Sequence, residues 1–430
     1  MFKPNMLKWI SDLFLINRSI TGEGVRKTLS YFKKINPEIK LIKFKTGKKV
    51  FDWKIPEEWL IKDAYIQNQK GQKFAEFKKN NLHIVGYSTP INKWIDKNSL
   101  LKKIYTLKEY KSYIPYVTSY YKKDWGFCMS EQQKKKFFKG GKFKVKINSK
   151  FKKGFLNCAH AIIKGKSKKE VFFSTNICHP SMANNELSGP ALINAILLYL
   201  KKNHPNNYYT YRFVLVPETI GSIAYLSKYL KSLKKNIFAG YVLSCVGDDN
   251  NYSIIQSRDK NNLSEKMLFS FLENKKNLKI YSYLERGSDE RQYCSPGIDL
   301  PLCGFSRSKY AEYKEYHSSA DNLSFISKKG LNNSLNVFSK IIDLLEIGIV
   351  PKRTTLGEPF LAKRKLHNNK SFWNKQNYEK NLKLRMDFLA YCDSETDIFD
   401  TKEKIGCSFD DLVSEYKLLL KSGVIKSGHY

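Results

Sequence analysis

Two histidines and a handful of acids sit where side chains could meet a metal ion. His179 lies in "ICHPSMANNELSG" (177–189), seven residues before Glu186, and His317 lies in "EYKEYHSSADN". Glu218 follows the apolar run "RFVLVP", and Asp248 and Asp249 follow "YVLSCVG". Two imidazoles with carboxylates form a donor set suited to zinc. A glutamate beside such an ion can take a proton from its bound water, which is what amide hydrolysis at neutral pH requires. Each residue taken alone also fits a plainer role, a hydrogen-bonded strand-end histidine or a helix-capping acid.

These residues converge only if the elements before them end on one side of a sheet. "VFFSTNI" (171–177), "YRFVLVP" (211–217), "GYVLSCVG" (240–247) and "LPLCGFS" (300–306) read as short buried strands. Helical patterns at 191–200, 221–233, 263–274 and 331–347 separate them. Such alternation predicts a largely parallel sheet covered on both faces, with ligands bound beyond the carboxyl ends of its strands. Ser188 is expected to cap the helix that Pro190 starts. No G-x-S-x-G, P-loop or strand-linked G-x-G-x-x-G is present to suggest another α/β chemistry.

The flanking sequence differs in rhythm. Residues 4–34 read as a helical pair, and 51–154 as a small β-rich unit of short alternating segments broken by Gly, Pro and Asn. Residues 355–430 carry three helical patterns (378–391, 400–405, 409–421) and a short strand, "GVIKS", the order of a winged helix-turn-helix. The expected organisation is therefore a discontinuous α/β domain (1–50 and 155–350), an inserted β-rich domain (51–154) and a winged-helix domain (355–430).

The chain has 430 residues, 42% of them hydrophobic, enough for more than one core. Its formal net charge of +36 invites polyanions, but only ten of the 76 basic residues are arginine and the lysines are spread along the whole length. The segment in the position of a recognition helix, "SFDDLVSEYKLLLK", opens with acids that phosphates would repel, which argues against nucleic acid and for a protein partner or homo-oligomer. The eight cysteines are scattered singly. No run is long and apolar enough to span a bilayer, and the start lacks the pattern of a secretory signal, so the expected location is cytoplasmic.

Several stretches together, "NRSITGEGVR" (17–26), "VFDWKIPEEWLIKDAYI" (50–66), "IPYVTSYYKKDWGFC" (114–128), "CHPSMANNELSGP" (178–190), "PETIGS" (217–222), "SCVGDD" (244–249), "GSDERQYCSPGIDLP" (287–301) and "EYHSSADNLSFI" (315–326), resemble the bacterial aminopeptidase-like proteins of polysaccharide biosynthesis clusters. That resemblance implies a zinc-exopeptidase-like three-layer domain, an inserted small β domain and a C-terminal winged helix. It implies His179 and His317 as metal ligands and Glu218 as general base or further ligand. The segment 287–293 would be a wall of the substrate pocket. Zinc aminopeptidases place a bridging aspartate where Asn185 stands, a second glutamate beside Glu218, and an aspartate where Ser244 stands. A single Zn2+ on His179, Glu186 and His317, with water in the fourth position, is therefore expected, and Asp248 is the acid left to stand in for the aspartate missing at Ser244.

Asp289, Arg291 and Tyr293 either bind the substrate's polar end or, through an Asp289 ion pair with Arg291 or Arg286, hold a loop; Arg18 carries the same two readings. The expected activity is hydrolysis of an amide or peptide bond beside a free amine. The alternative is a peptidase fold that has lost its chemistry and acts as a binding or regulatory module through its winged helix.

Overall fold

The structure, a computed structural model, describes residues 4–137, 141–259, 261–366 and 375–430. It divides into two compact units, Met1–Glu265 with Lys275–Asn336, and Lys266–Asn274 with Val337–Tyr430.

The first unit is organised by an eight-stranded mixed sheet. Its order is Lys40–Lys45, Phe155–Ile163, Thr210–Val216, Glu170–Asn176, Ile237–Leu243, Leu302–Ser306, Tyr252–Ile255, Leu278–Tyr281. The four strands from Thr210–Val216 to Leu302–Ser306 run parallel, in the continuous apolar character expected of strands covered on both faces. Thr175 pairs with Leu215 on one side and with Leu243 on the other, so the residues that follow these strands emerge together at one edge.

The helix Ser188–Asn203 packs against this sheet and is buried through most of its length. Its approach is close: a Cβ on Gly189 would stand 2.0 Å from the Thr175 hydroxyl oxygen, so only glycine fits. Ser188 is not its N-cap. Residues Ala183–Leu187 form a π-helical turn that runs straight into the helix, and Ser188, itself helical, donates its hydroxyl back to the Asn184 carbonyl. Its oxygen accepts from the Val246 amide at 2.9 Å, so the hydroxyl ties the helix to the loop after the strand Ile237–Leu243 instead of capping its own N-terminus.

A second sheet of four antiparallel strands, in the order Lys73–Phe74, Glu58–Asn68, Lys142–Lys152, Ile91–Asp96, belongs to the same unit. In "KFKVKINSKFK" Phe143, Val145 and Ile147 point inward and the lysines outward, the period-two pattern of a half-buried strand. These residues share one continuous core with Phe172, Val214 and Val242 of the large sheet.

In the second unit, helices Lys375–Ala390, Ile398–Ile405 and Phe409–Lys421 gather around Phe388, Ile398, Phe399, Leu412, Tyr416 and Leu419, and Lys352–Arg353 pairs with Ile425–Lys426 as a short antiparallel wing. Asp397 caps one helix through the Phe399 and Asp400 amides, and Ser408 caps the next through Asp411. Asp410 and Asp411 are exposed on the first turn of Phe409–Lys421. Among the described residues no helix is long and apolar enough to cross a membrane.

Candidate metal centre

The two sequence-distant histidines meet. The His179 and His317 ring centroids are 5.1 Å apart, and Tyr116 packs edge-on against both, at 4.9 and 5.2 Å. Each ring is held from behind. The buried Arg18 guanidinium donates from Nε to the His179 carbonyl at 2.9 Å and from Nη1 to the Leu13 carbonyl at 2.7 Å. Tyr316 stacks on His317 at 3.9 Å, and the Tyr116 amide donates to the His317 carbonyl at 2.8 Å. His317 adopts φ 51°, a left-handed conformation uncommon for a non-glycine residue and often found where a site dictates geometry.

Glu186 is fully buried and its Oε2 lies 2.6 Å from His179 Nδ1. A carboxylate on one imidazole nitrogen fixes the tautomer and directs the other nitrogen outward. That other nitrogen, Nε2, lies 3.7 Å from Glu218 Oε2. The sequence reading made Glu186 a ligand; the geometry makes it first the group that orients His179. Among the described residues its Oε1 has no hydrogen-bond partner, nor has His317 Nε2. Cys178, one residue away, completes a trio with His179 and Glu186 whose donor atoms all lie within 4.8 Å of one another.

Glu218 follows the strand Thr210–Val216. Its Oε1 accepts from Asn176 Nδ2 at 3.1 Å and from the Ser288 hydroxyl at 3.0 Å, leaving Oε2 toward His179. Burial raises its proton affinity above the usual carboxylate range, against the pull of His179. The next residue, Thr219, sits at φ 64°, ψ −75°, a strained backbone that turns the chain into the helix Ile220–Asn236. Burial disfavours the His179 imidazolium, yet Cys178 and Glu186 outweigh it and hold the ring's proton well above the ordinary range. Burial and then the neighbouring His179 push His317 well below it, so His317 is neutral. The Cys178 thiol is pushed up to about 12, chiefly by burial.

The remaining candidates separate. Asp289 is buried and accepts from the Thr219 amide and the Ser222 hydroxyl, both at 2.8 Å. Burial, then Glu218, lifts its pKa to about 8. It forms no ion pair with Arg291 or Arg286 among the described residues; Arg291 instead donates to the Thr219 hydroxyl and lines the cleft. Tyr293 is a core residue, its hydroxyl 2.9 Å from the Ser174 hydroxyl, and cannot touch a substrate. Arg18 is 1% exposed and acts through the His179 backbone, its own pKa lowered to about 10 by burial. Asp248 lines neither the cleft nor the donor trio: its two oxygens take four hydrogen bonds, from Asn184, Asn250 and, twice, Ser308. All its lone pairs are committed to holding the loop, so it does not replace the aspartate missing at Ser244.

Sequence reasoning missed Asp321 and Tyr116. Asp321 is buried and accepts from the Asn184 and Asn185 amides at 2.6 and 2.8 Å, clamping the π-turn that delivers Glu186. Burial lifts its pKa to about 6. The only signal was an aspartate before asparagine in "SSADN", which reads as a turn.

The donor chemistry fits a divalent cation. An unpartnered imidazole nitrogen and an unpartnered carboxylate oxygen, both buried, each cost about 1–3 kcal/mol unless something satisfies them. Asn185, Ser244 and Thr219 offer neutral groups where carboxylates were expected; the Asn185 amide turns its nitrogen to Cys245 Sγ at 3.6 Å, and its buried Oδ1 has no hydrogen-bond partner among the described residues. The histidines line a cleft of about 290 Å³ together with Trp53, Tyr116, Tyr120, Tyr121, Glu218 and Arg291.

Comparison with known proteins agrees with this architecture. Residues 7–348 match the family model described as a domain of unknown function, DUF4910, and residues 349–427 match a winged helix-turn-helix. A Clostridium acetobutylicum protein, provisionally named a polysaccharide biosynthesis protein with an aminopeptidase-like domain, is 41% identical over 83% of this chain and 82% of its own. A crystal structure from the same organism, provisionally titled a peptidase, is 35% identical with a TM-score of 0.88, covering 98% of this chain and 95% of that one. BSAP, a zinc aminopeptidase from Bacillus subtilis, shares the fold at 14% identity, with a TM-score of 0.57 over 79% of this chain and 94% of its own. The α/β class, the aminopeptidase-like sheet and the C-terminal winged helix expected from sequence are thus all present, and the chain belongs to the DUF4910 family of aminopeptidase-like proteins.

Proposed function

We propose that this chain is a zinc-dependent hydrolase of an amide or peptide bond, working on a small molecule of polysaccharide biosynthesis. The observation that carries this reading is the meeting of two imidazoles with an acid of raised proton affinity, Glu218 Oε2 lying 3.7 Å from His179 Nε2. His179 and His317 would hold the ion, with Glu186 on His179 Nδ1 orienting the ring so that Nε2 faces the cleft. When bound, zinc polarises the carbonyl and acidifies a water.

The rest is done by the chain. Asn176 and Ser288 fix one oxygen of Glu218, so the other is held in place to receive a proton from the attacking water and return it to the departing nitrogen. Asp289 secures the first turn after Glu218 through Thr219 and Ser222. Tyr116, packed on both rings, screens one side of them from water. Glu218 is the only carboxylate among the described residues lining the cleft, and it is needed for proton transfer. A substrate ammonium would have to share it, so the proposal stands on the amide bond rather than on a free amine.

Neutral groups at Asn185, Ser244 and Thr219 favour a second reading, a binding protein that has given up chemistry, with the winged helix taking a protein partner. The exposed Asp410 and Asp411 argue against that helix meeting phosphates. Zinc content of the purified chain, with and without His179→Ala, and turnover of aminoacyl and N-acyl amides decide between the two. A zinc-free protein without turnover would leave only the binding role.

A further inference from the structure

The cleft that the histidines line has an uneven charge. Apart from Glu218 and the two histidines, its charged lining consists of Lys54 and Arg291, and neither forms an ion pair among the described residues. Arg291 donates Nη2 to the neutral Thr219 hydroxyl, which orients the guanidinium while leaving its remaining N–H groups for a planar acceptor. Also lining the cleft, Trp53 and Tyr121 meet at 5.6 Å between ring centroids; Trp53 is half-buried and Tyr121 is 77% exposed. A pair of amphipathic rings at a cleft mouth offers an apolar surface with polar edges.

We propose that the cleft recognises a small anionic amide, its carboxylate or phosphate held by Arg291 and Lys54 and its ring carried against Trp53 and Tyr121. This substrate class deepens the hydrolase reading above and rests on it. Two cations without partners face one acid whose Oε1 is already engaged, so an anion finds more open contacts here than an ammonium does. The net charge of +36 draws the same class of molecule toward the surface.

Calorimetric titration of the full chain with N-acetylglucosamine, its 1-phosphate and N-acetylmuramic acid tests this, with the same sugar ring carrying no charge, a phosphate or a carboxylate. At least one acid binds about tenfold more tightly than the neutral sugar, and which acid does so identifies the anion. Arg291→Gln and Lys54→Gln, both at exposed positions, remove that preference and leave neutral-sugar binding and melting temperature unchanged. Equal binding of all three sugars, binding of none, or an undiminished preference in the double variant would overturn the proposal. Binding is read whether or not acetate is released, so tight binding without turnover refutes the hydrolase reading alone.

Discussion

Glu186 and His179, seven residues apart, share a buried contact of 2.6 Å between Oε2 and Nδ1, and this contact decides which imidazole nitrogen faces the cleft. Glu186→Gln weakens the acceptor and leaves the ring's orientation less fixed. Zinc affinity, measured by competition with a chromophoric chelator, is expected to fall about 10- to 100-fold, as for loss of a carboxylate behind a metal-bound histidine.

Glu218→Gln separates metal binding from proton transfer. Removing a general base costs about 10²–10⁴ in kcat, while zinc content by atomic absorption stays near that of the parent chain. His317→Ala, by contrast, removes a donor and should lower zinc content itself. If Glu218→Gln lost its zinc as His317→Ala does, Glu218 would be a ligand rather than the base.

Asp321 touches no substrate, yet its loss should be costly. Asp321→Ala leaves the Asn184 and Asn185 amides buried without acceptors, at about 1–3 kcal/mol each. Urea unfolding should show a lower midpoint with an unchanged slope, accompanied by weaker zinc binding because the turn that carries Glu186 is no longer clamped.

His160 gives a stability signal away from the candidate metal centre. Burial, then Arg212, Lys40 and Lys228, lower its pKa to about 4, with Glu170 opposing; its Nδ1 contacts the Tyr225 hydroxyl at 2.9 Å, and Tyr229 packs beside the ring. The unfolded chain takes up this proton near pH 6.5 and the folded chain only near 4. Stability from this group is complete above about pH 6.5 and is lost as the pH falls toward 4, a change on the order of 2–3 kcal/mol. His160→Gln should flatten the stability profile in that window.

Strand and helix placement was legible because the large sheet is buried on both faces and writes itself as short apolar runs; "VFFSTNI" (171–177) lies one residue along from the strand Glu170–Asn176. The meeting of His179 with His317 followed from the rule that parallel strands present their carboxyl ends together. What pattern could not show is how lone pairs are spent. Asp248 and Glu218 look alike in sequence, each an acid after a strand, but Ser308 and Asn184 fill Asp248 while one oxygen of Glu218 stays open. Tyr293 is polar enough to suggest a pocket, and only packing against Phe172 shows it to be core. Asp321 was invisible because the turn it clamps is held through the Asn184 and Asn185 backbone amides, which carry no residue identity, with the Tyr313 hydroxyl at 3.2 Å beside them.

The strained backbone at Thr219 has a use in engineering. At φ 64°, ψ −75°, a β-branched residue resists its own conformation, and glycine would adopt it freely. Thr219→Gly should therefore yield a protein that melts later and works worse: the relaxed hinge no longer aims Glu218, and Arg291 loses the hydroxyl that steers it. Thermal robustness and aim are set against each other at one residue.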